Sequence, residues 1–318
     1  MVNGGIAVNI ISGFLGSGKT TAIIRLLLEK TTDEPWAIII NEFGRISIDS
    51  QTLRSSSDED NVFEISGGCI CCSAKGYFQE NLEKIIETGN YSRIIIEPSG
   101  LGGIEMVTDI VSANPYLKLL EVICLVDMMG IANARLQQLP IYKTQIRKAD
   151  IIVLNKRDLL EDDASEEHLV KHFRALYPEK RCLVNRGEKN FWKSLIEINE
   201  QSNTEEIKFR MILAGDNLLT DDNYKVDNLI FNRDTTFSTE KLSQFFKVNQ
   251  QIVRAKGHFL TEKGWVLLNF SLSGCIFEPC EVKNQSELVI ITERSAFDQN
   301  RSLNEEIIST IISDLTGR

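Results

Sequence analysis

Residues Gly13 to Thr20 read Gly-Phe-Leu-Gly-Ser-Gly-Lys-Thr, a complete GxxxxGK[ST] loop that follows the apolar run Ile6 to Ile11. Glycines let successive backbone N–H groups turn inward around a phosphate chain. Lys19 can then reach the terminal phosphates, and the Thr20 hydroxyl suits Mg²⁺. The helix expected from Thr21 to Glu29 would point its positive N-terminal end at the same anion. Gly13, Gly16, Ser17, Gly18, Lys19, Thr20 and Thr21 are therefore the candidate phosphate-binding residues, with a flexible glycine turn as the bland alternative.

A second polar cluster, Asn155-Lys156-Arg157-Asp158, directly follows the apolar run Ile151 to Leu154. A carboxylate at the fourth position can accept two parallel hydrogen bonds from guanine N1–H and the 2-amino group, which adenine does not offer. Asp158 would read the base, while Asn155 and Lys156 brace the loop and cover the ring. This favours GTP and GDP over adenine nucleotides, because a polar site left unpaired is costly. Between the two motifs, Ile94-Ile95-Ile96-Glu97-Pro98-Ser99-Gly100 reads as a buried strand ending in an acid, with a glycine three positions on. At such a strand end a carboxylate can hold the Mg²⁺ shell or a water, and the glycine N–H can sense the γ-phosphate. Lys19, Thr20, Glu97 and Gly100 form the candidate catalytic group.

The third cluster is Gly67-Gly68-Cys69-Ile70-Cys71-Cys72. Three thiols this close suit a soft or borderline metal such as Zn²⁺ or Co²⁺. Cys69, Cys71 and Cys72 would still need a ligand from elsewhere. Glu42 is the better candidate and Asp49 the weaker. Ordinary buried cysteines and a Cys69/Cys72 redox pair are the alternatives. His168 and His172, four apart on an expected helix, could share a face with a metal, although the run Glu166 to His172 reads more simply as a solvated helix. The cysteine segment and Glu42 both follow strands of one expected sheet, which would place them near the phosphates.

Taken together, the Gly13 to Thr21 loop, Asn41-Glu42-Phe43-Gly44 with Asp49, Cys69 to Cys72, Glu97 to Leu101, Gln145 with Ala149-Asp150, and Asn155 to Asp158 resemble the CobW-like metallochaperone GTPases. Arg254-Ala255-Lys256-Gly257 is similar to a short signature in that family's C-terminal domain. The resemblance implies slow GTP hydrolysis coupled to the binding of Zn²⁺ or Co²⁺ and its delivery to a client. That client would be a metalloprotein or a protein of cobalamin synthesis. Cys71 is implied as a principal ligand, and a homodimer is one assembly this chain could adopt. Two departures stand out. Many members carry a His-rich stretch, whereas this chain has three histidines. Many also have Thr-Thr where this chain has Pro98-Ser99.

At 318 residues the chain exceeds the roughly 250 to 300 residues at which single cores stop growing, so two domains are expected. Alternating strand and helix patterns up to about residue 184 predict an α/β fold. Its doubly wound, mostly parallel sheet would place ligands at the carboxyl ends of the strands. The expected division is a P-loop GTPase domain over 1–200, a polar linker over 201–225 and a smaller α+β domain over 226–318. In the last, Phe245, Phe246 and Trp265 could form a client surface, with core packing as the alternative. A net charge of −10 disfavours nucleic acid or anionic membrane as the main partner. No apolar run is long enough to span a bilayer, and the P-loop strand starts at once, so no signal peptide is expected. The scattered Cys124, Cys182, Cys275 and Cys280 fit a reducing compartment, so a cytoplasmic location is expected. A rival of another class is a non-enzymatic GTP- and metal-responsive sensor or scaffold. A nucleotide kinase would need converging basic residues near Glu97, which the sequence lacks.

Overall fold

The computed structural model describes residues 5–30, 34–41, 62–65, 73–88, 90–101, 103–160, 162–196, 209–214, 224–231 and 235–293. Its backbone divides into two units, Met1–Leu219 and Thr220–Arg318.

In the first unit, strands β1 (Ile6–Gly13), β2 (Trp36–Asn41), β3 (Val62–Ile65), β4 (Arg93–Glu97), β5 (Leu117–Asp127), β6 (Ile151–Asn155), β7 (Arg181–Val184) and β8 (Phe209–Ala214) form one parallel sheet. Its order is β3-β8-β2-β4-β1-β5-β6-β7. The helices are α1 (Lys19–Glu29), α2 (Ser73–Thr88), α3 (Ile104–Ala113), α4 (Ala134–Gln138), α5 (Pro140–Lys148), α6 (Asp163–Leu176) and α7 (Phe191–Ile196). The central strands are near-continuous runs of Ile, Val and Leu, as expected of a sheet covered on both faces. Ile11, Ile38, Ile40, Ile95, Ile123, Leu125, Ile151 and Val153 meet Ala22, Ile23 and Leu26 of α1 and Trp192, Leu195 and Ile196 of α7 in one buried cluster.

The expectation of a doubly wound α/β domain holds, with one element that the sequence pattern did not show. Phe209–Ala214 falls inside the stretch expected to be a linker, yet it forms β8, wedged in register between β2 and β3. Six residues in a polar neighbourhood are too short a run to stand out by period, and only pairing on both edges identifies them as a strand.

The second unit is an antiparallel sheet in the order β12-β11-β10-β13-β9, built from β9 (Tyr224–Phe231), β10 (Ile252–Thr261), β11 (Gly264–Ser271), β12 (Gly274–Pro279) and β13 (Ser286–Glu293). Helix α8 (Thr239–Val248), capped by the Ser238 side chain, lies on its apolar face. Phe245 and Phe246 belong to that core, with Phe237, Leu242, Phe259, Leu268 and Ile290, so packing accounts for both. On the central strand, a Cβ at Gly257 would collide with the backbone oxygen of Glu287 on β13, which explains a glycine within Arg254-Ala255-Lys256-Gly257. The sequence pattern also predicts a terminal helix near Asn304 to Leu315, which lies outside the described residues. Among the described residues, no helix is long and apolar enough to cross a membrane.

Candidate functional site

Parallel pairing decides what meets at the carboxyl edge of the first sheet. Strand β1 lies between β4 and β5, with Ile10 opposite Ile96 and Gly13 opposite Leu125. The glycine loop after β1 therefore emerges beside Glu97 at the end of β4, although the two are far apart in sequence. Strand β6 is next beyond β5, with Asn155 opposite Asp127, which brings the Asn155 loop to the same edge.

Glycine is required twice in the loop itself. Gly13 has φ +144, and a Cβ there would stand 2.5 Å from both Leu125 O and Ser17 Oγ. Gly18, the N-cap of α1, has φ +95, and a Cβ would lie 2.5 Å from Asn155 Nδ2. Both conformations lie in the left-handed region that glycine enters without steric cost. Ser17 Oγ is buried and has no hydrogen-bond partner among the described residues. An orphaned hydroxyl inside a glycine cradle at a helix N-terminus is what an anion-binding loop leaves open.

Around that cradle, Thr20 Oγ1 donates to the Glu97 carboxylate at 3.1 to 3.2 Å, and Lys19 Nζ stands 3.8 Å from Glu97 Oε1. Lys19 is 8% exposed and Glu97 4%, so the pair sits largely out of water. The oxygen donors of Thr20 and Glu97 suit a hard cation such as Mg²⁺. Gly100 approaches the loop so closely that a Cβ would lie 2.9 Å from Leu15 N. Its carbonyl accepts from Gln145 Nε2 of α5 at 2.9 Å, which fixes the turn after β4. Gly16 is half-buried in the loop, and Thr21 is exposed on the first turn of α1.

The Asn155 loop is tied to the cradle directly. Asn155 Nδ2 donates to Ser17 O at 2.8 Å, and Asn155 Oδ1 accepts from Asn185 Nδ2 at 2.8 Å. Lys156 adopts φ 64, a left-handed conformation uncommon for a side-chain-bearing residue, and its ammonium pairs with Asp127 Oδ2 at 2.6 Å. Asp127 is buried, and its other oxygen caps the short turn Met128–Gly130. Asp158 is exposed and forms no ion pair among the described residues, so its carboxylate is available to a ligand. Sequence reasoning missed Asn185. The signal was present, because Asn185 directly follows β7, the strand beside β6, but its partner is recognisable only once the strands are ordered.

Cys69, Cys71, Cys72, Glu42 and Asp49 lie outside the described residues. The strand that leads into the cysteines, β3, stands four positions from β1 because β8 intervenes, about 19 Å at the usual strand spacing. Among the described residues, no group of three His, Cys, Asp or Glu is placed to hold a metal. His168 and His172 are exposed on α6, whereas Glu166, the first residue of the run read as a solvated helix, is buried. Burial pushes the Cys124 thiol up to about 12, which keeps it protonated and unsuited to ligation at neutral pH.

Comparison with known proteins places this geometry among relatives. The family profile described as CobW/HypB/UreG, nucleotide-binding domain, matches residues 7–184, more than half of the chain. The chain is 38% identical over 153 residues to the zinc chaperone YeiR of Escherichia coli, covering 47% of this chain and 46% of that protein. It is 32% identical over 190 residues to the zinc chaperone CobW of a Sinorhizobium species, covering 50% and 52%. It thus spans about half the length of these two relatives. The zinc-regulated GTPase metalloprotein activator 1 of Dictyostelium discoideum matches at 24% identity over 85% of this chain and 65% of that protein. Among solved structures, HypB from Helicobacter pylori in complex with nickel aligns with a TM-score of 0.38 and 16% identity, over 63% of this chain and 92% of that one.

Proposed function

The chain belongs to the CobW/HypB/UreG nucleotide-binding family, and from that premise we propose that it is a GTP-hydrolysing metallochaperone. In this reading it binds Zn²⁺ or Co²⁺ through Cys69, Cys71 and Cys72, with Glu42 as a further ligand, and passes the metal to a client protein. The observation that carries the nucleotide half is the convergence of Lys19, Thr20 and Glu97 on one glycine cradle, joined by Asn155 to the base-reading loop. The names of the relatives, two zinc chaperones and a zinc-regulated GTPase metalloprotein activator, support the metal half.

Each residue then has a task. Backbone amides of Gly16, Gly18 and Lys19 hold the phosphate oxygens, joined by that of Ser17 once it exchanges its 3.1 Å bond to Phe14 O for the ligand, and Lys19 neutralises charge that grows as the γ-phosphoryl leaves. Thr20 and Glu97 would hold Mg²⁺, which supplies further charge neutralisation at the phosphates. Glu97 also lies where it can orient the attacking water. Asp158 accepts from the guanine edge, and Lys156, locked by Asp127, flanks the ring. Replacement of Asp158 by Asn is expected to weaken GTP binding at least about tenfold, since hydrogen bonds to a charged group contribute roughly 1.5 to 3 kcal/mol. Xanthosine triphosphate, whose edge accepts where guanine donates, should regain part of that loss. Calorimetry with both nucleotides checks this, and ATP binding the wild type as tightly as GTP would refute the assignment.

The proposal requires the two ligands to feel each other. A segment that holds metal and responds to the γ-phosphate has two states, and each ligand shifts the other's affinity by the same factor. Metal affinity in the presence of a non-hydrolysable GTP analogue is expected to differ from that with GDP by at least about fivefold. Equal affinities, with metal shown to be bound at Cys71, would leave a GTPase and a metal site without coupling, and the chaperone reading would fall.

A further inference from the structure

Glu166 is a carboxylate on α6 with 7% of its surface exposed, a burial that acidic side chains rarely adopt unless paired. Its Oε2 accepts from Arg157 Nε at 3.0 Å, and its Oε1 accepts from Arg186 Nε at 3.0 Å and from a second nitrogen of the same guanidinium. Arg157 pairs in addition with Asp163, one turn earlier on the helix. The guanidinium of Arg186, and after it that of Arg157, holds the Glu166 carboxyl below the ordinary carboxylate range although burial acts to raise it.

The places of the two arginines in the chain give this cluster its interest. Arg157 is the third residue of the base-reading loop, between Lys156 and Asp158. Arg186 follows Asn185 in the loop after β7. Asn185 already donates to Asn155, the first residue of the base-reading loop, and accepts from Gly187 N at 3.0 Å, which folds its own loop. The contacts therefore close a ring that runs from Asn155 along the chain to Arg157, across to Glu166, across to Arg186, along the chain to Asn185 and back to Asn155. The loops at the carboxyl ends of two neighbouring strands are held to one helix by one buried carboxylate.

We infer that Glu166 is a positioning residue for guanine, setting the separation and tilt of the Asp158 loop relative to the Asn185 loop. The inference rests on the guanine reading above. Glu166 accepts from Arg157 and Arg186 and from no residue of the phosphate loop, so its influence should reach the base far more than the phosphates. Arg157, the one residue of Asn155 to Asp158 given no part in base recognition, serves as the tether.

The test uses the full chain carrying Glu166→Ala, Glu166→Gln or Arg186→Ala, titrated with GDP, ADP and inorganic tripolyphosphate. GDP affinity is expected to fall at least about tenfold in Glu166→Ala, the scale of a lost charge-assisted tie, while ADP and tripolyphosphate affinities change less than about threefold. KM for GTP should rise in step while kcat at saturating GTP stays within about twofold, because only binding is affected. The Arg186 side chain is 55% exposed, so Arg186→Ala should fold normally and reproduce the loss. The double variant should lose little beyond Glu166→Ala alone, as members of one network do. Should Glu166→Ala fail to fold, the shape-preserving Glu166→Gln and Arg186→Ala carry the test. An unchanged GDP-to-ADP ratio in Glu166→Gln and Arg186→Ala overturns the proposal. A parallel fall in tripolyphosphate affinity and kcat overturns it too, since that marks general structural damage. A wild type that binds GDP and ADP equally refutes the guanine reading itself, and this inference with it.

Discussion

Replacement of Lys19 by alanine is expected to lower kcat for GTP hydrolysis by about 100- to 1,000-fold, the loss seen when one preorganised charge-stabilising group is removed from an active site. The reasoning begins from burial. Lys19 is 8% exposed and stands 3.8 Å from a Glu97 oxygen that is itself largely shielded. Removing the ammonium leaves that carboxylate beside incoming phosphate oxygens of the same sign in a site where water screens poorly. Nucleotide affinity should fall as well, because ground-state phosphates lose the same cation. Lys19→Arg should rescue little, since the larger planar group must enter a space bounded by Glu97 and the loop. Single-turnover phosphate release with saturating GTP measures the effect, and a rate within tenfold of wild type would remove Lys19 from the mechanism.

The second large effect is expected at Cys71. Disturbing a group that merely orients a metal ligand typically costs 10- to 100-fold in affinity, so losing a thiolate ligand itself should cost more than about 100-fold. Co²⁺ added to reduced, metal-free protein should give thiolate-to-metal charge-transfer absorption and tetrahedral d–d bands, both lost in Cys71→Ala. Cys124→Ala is the matched control. Its thiol is buried on β5 opposite Ser12, where burial pushes it up to about 12, so metal affinity should not change. Affinity at the cluster should weaken as pH falls below the ordinary thiol value near 8.5, because ligation must expel protons. Wild-type affinity in all three of Cys69→Ala, Cys71→Ala and Cys72→Ala would make the cluster structural and end the metallochaperone reading.

Much of the first unit was legible because its signals are local. An apolar run followed by Gly-x-x-x-x-Gly-Lys-Thr carries its strand, loop and helix in consecutive residues, and the runs ending at Glu97 and Asn155 read as strands for the same reason. Contacts that depend on strand order were not legible. Nothing in the spacing of Glu166, Arg157 and Arg186 says that one carboxylate serves two loops. Asn185 looks like a turn residue until β7 is placed beside β6. Lys156 was expected to cover the base, but its pairing with Asp127 required the neighbouring strand end. Strand β8 was hidden for the opposite reason, since its local pattern is real but brief and lies in polar surroundings.

That hidden strand also sets an order of events while the chain is being made. Strands β1, β2, β4, β5, β6 and β7, which frame the nucleotide cradle, have all been synthesised by Val184. Strand β3, which leads into Cys69 to Cys72, cannot take its place until β8 exists to pair with it, and β8 ends at Ala214. At translation rates of about 5 to 20 residues per second, those last residues arrive a few seconds after the rest. A nascent chain therefore reaches a state in which the strands framing the phosphate loop all exist while β3 still lacks the strand that it pairs with.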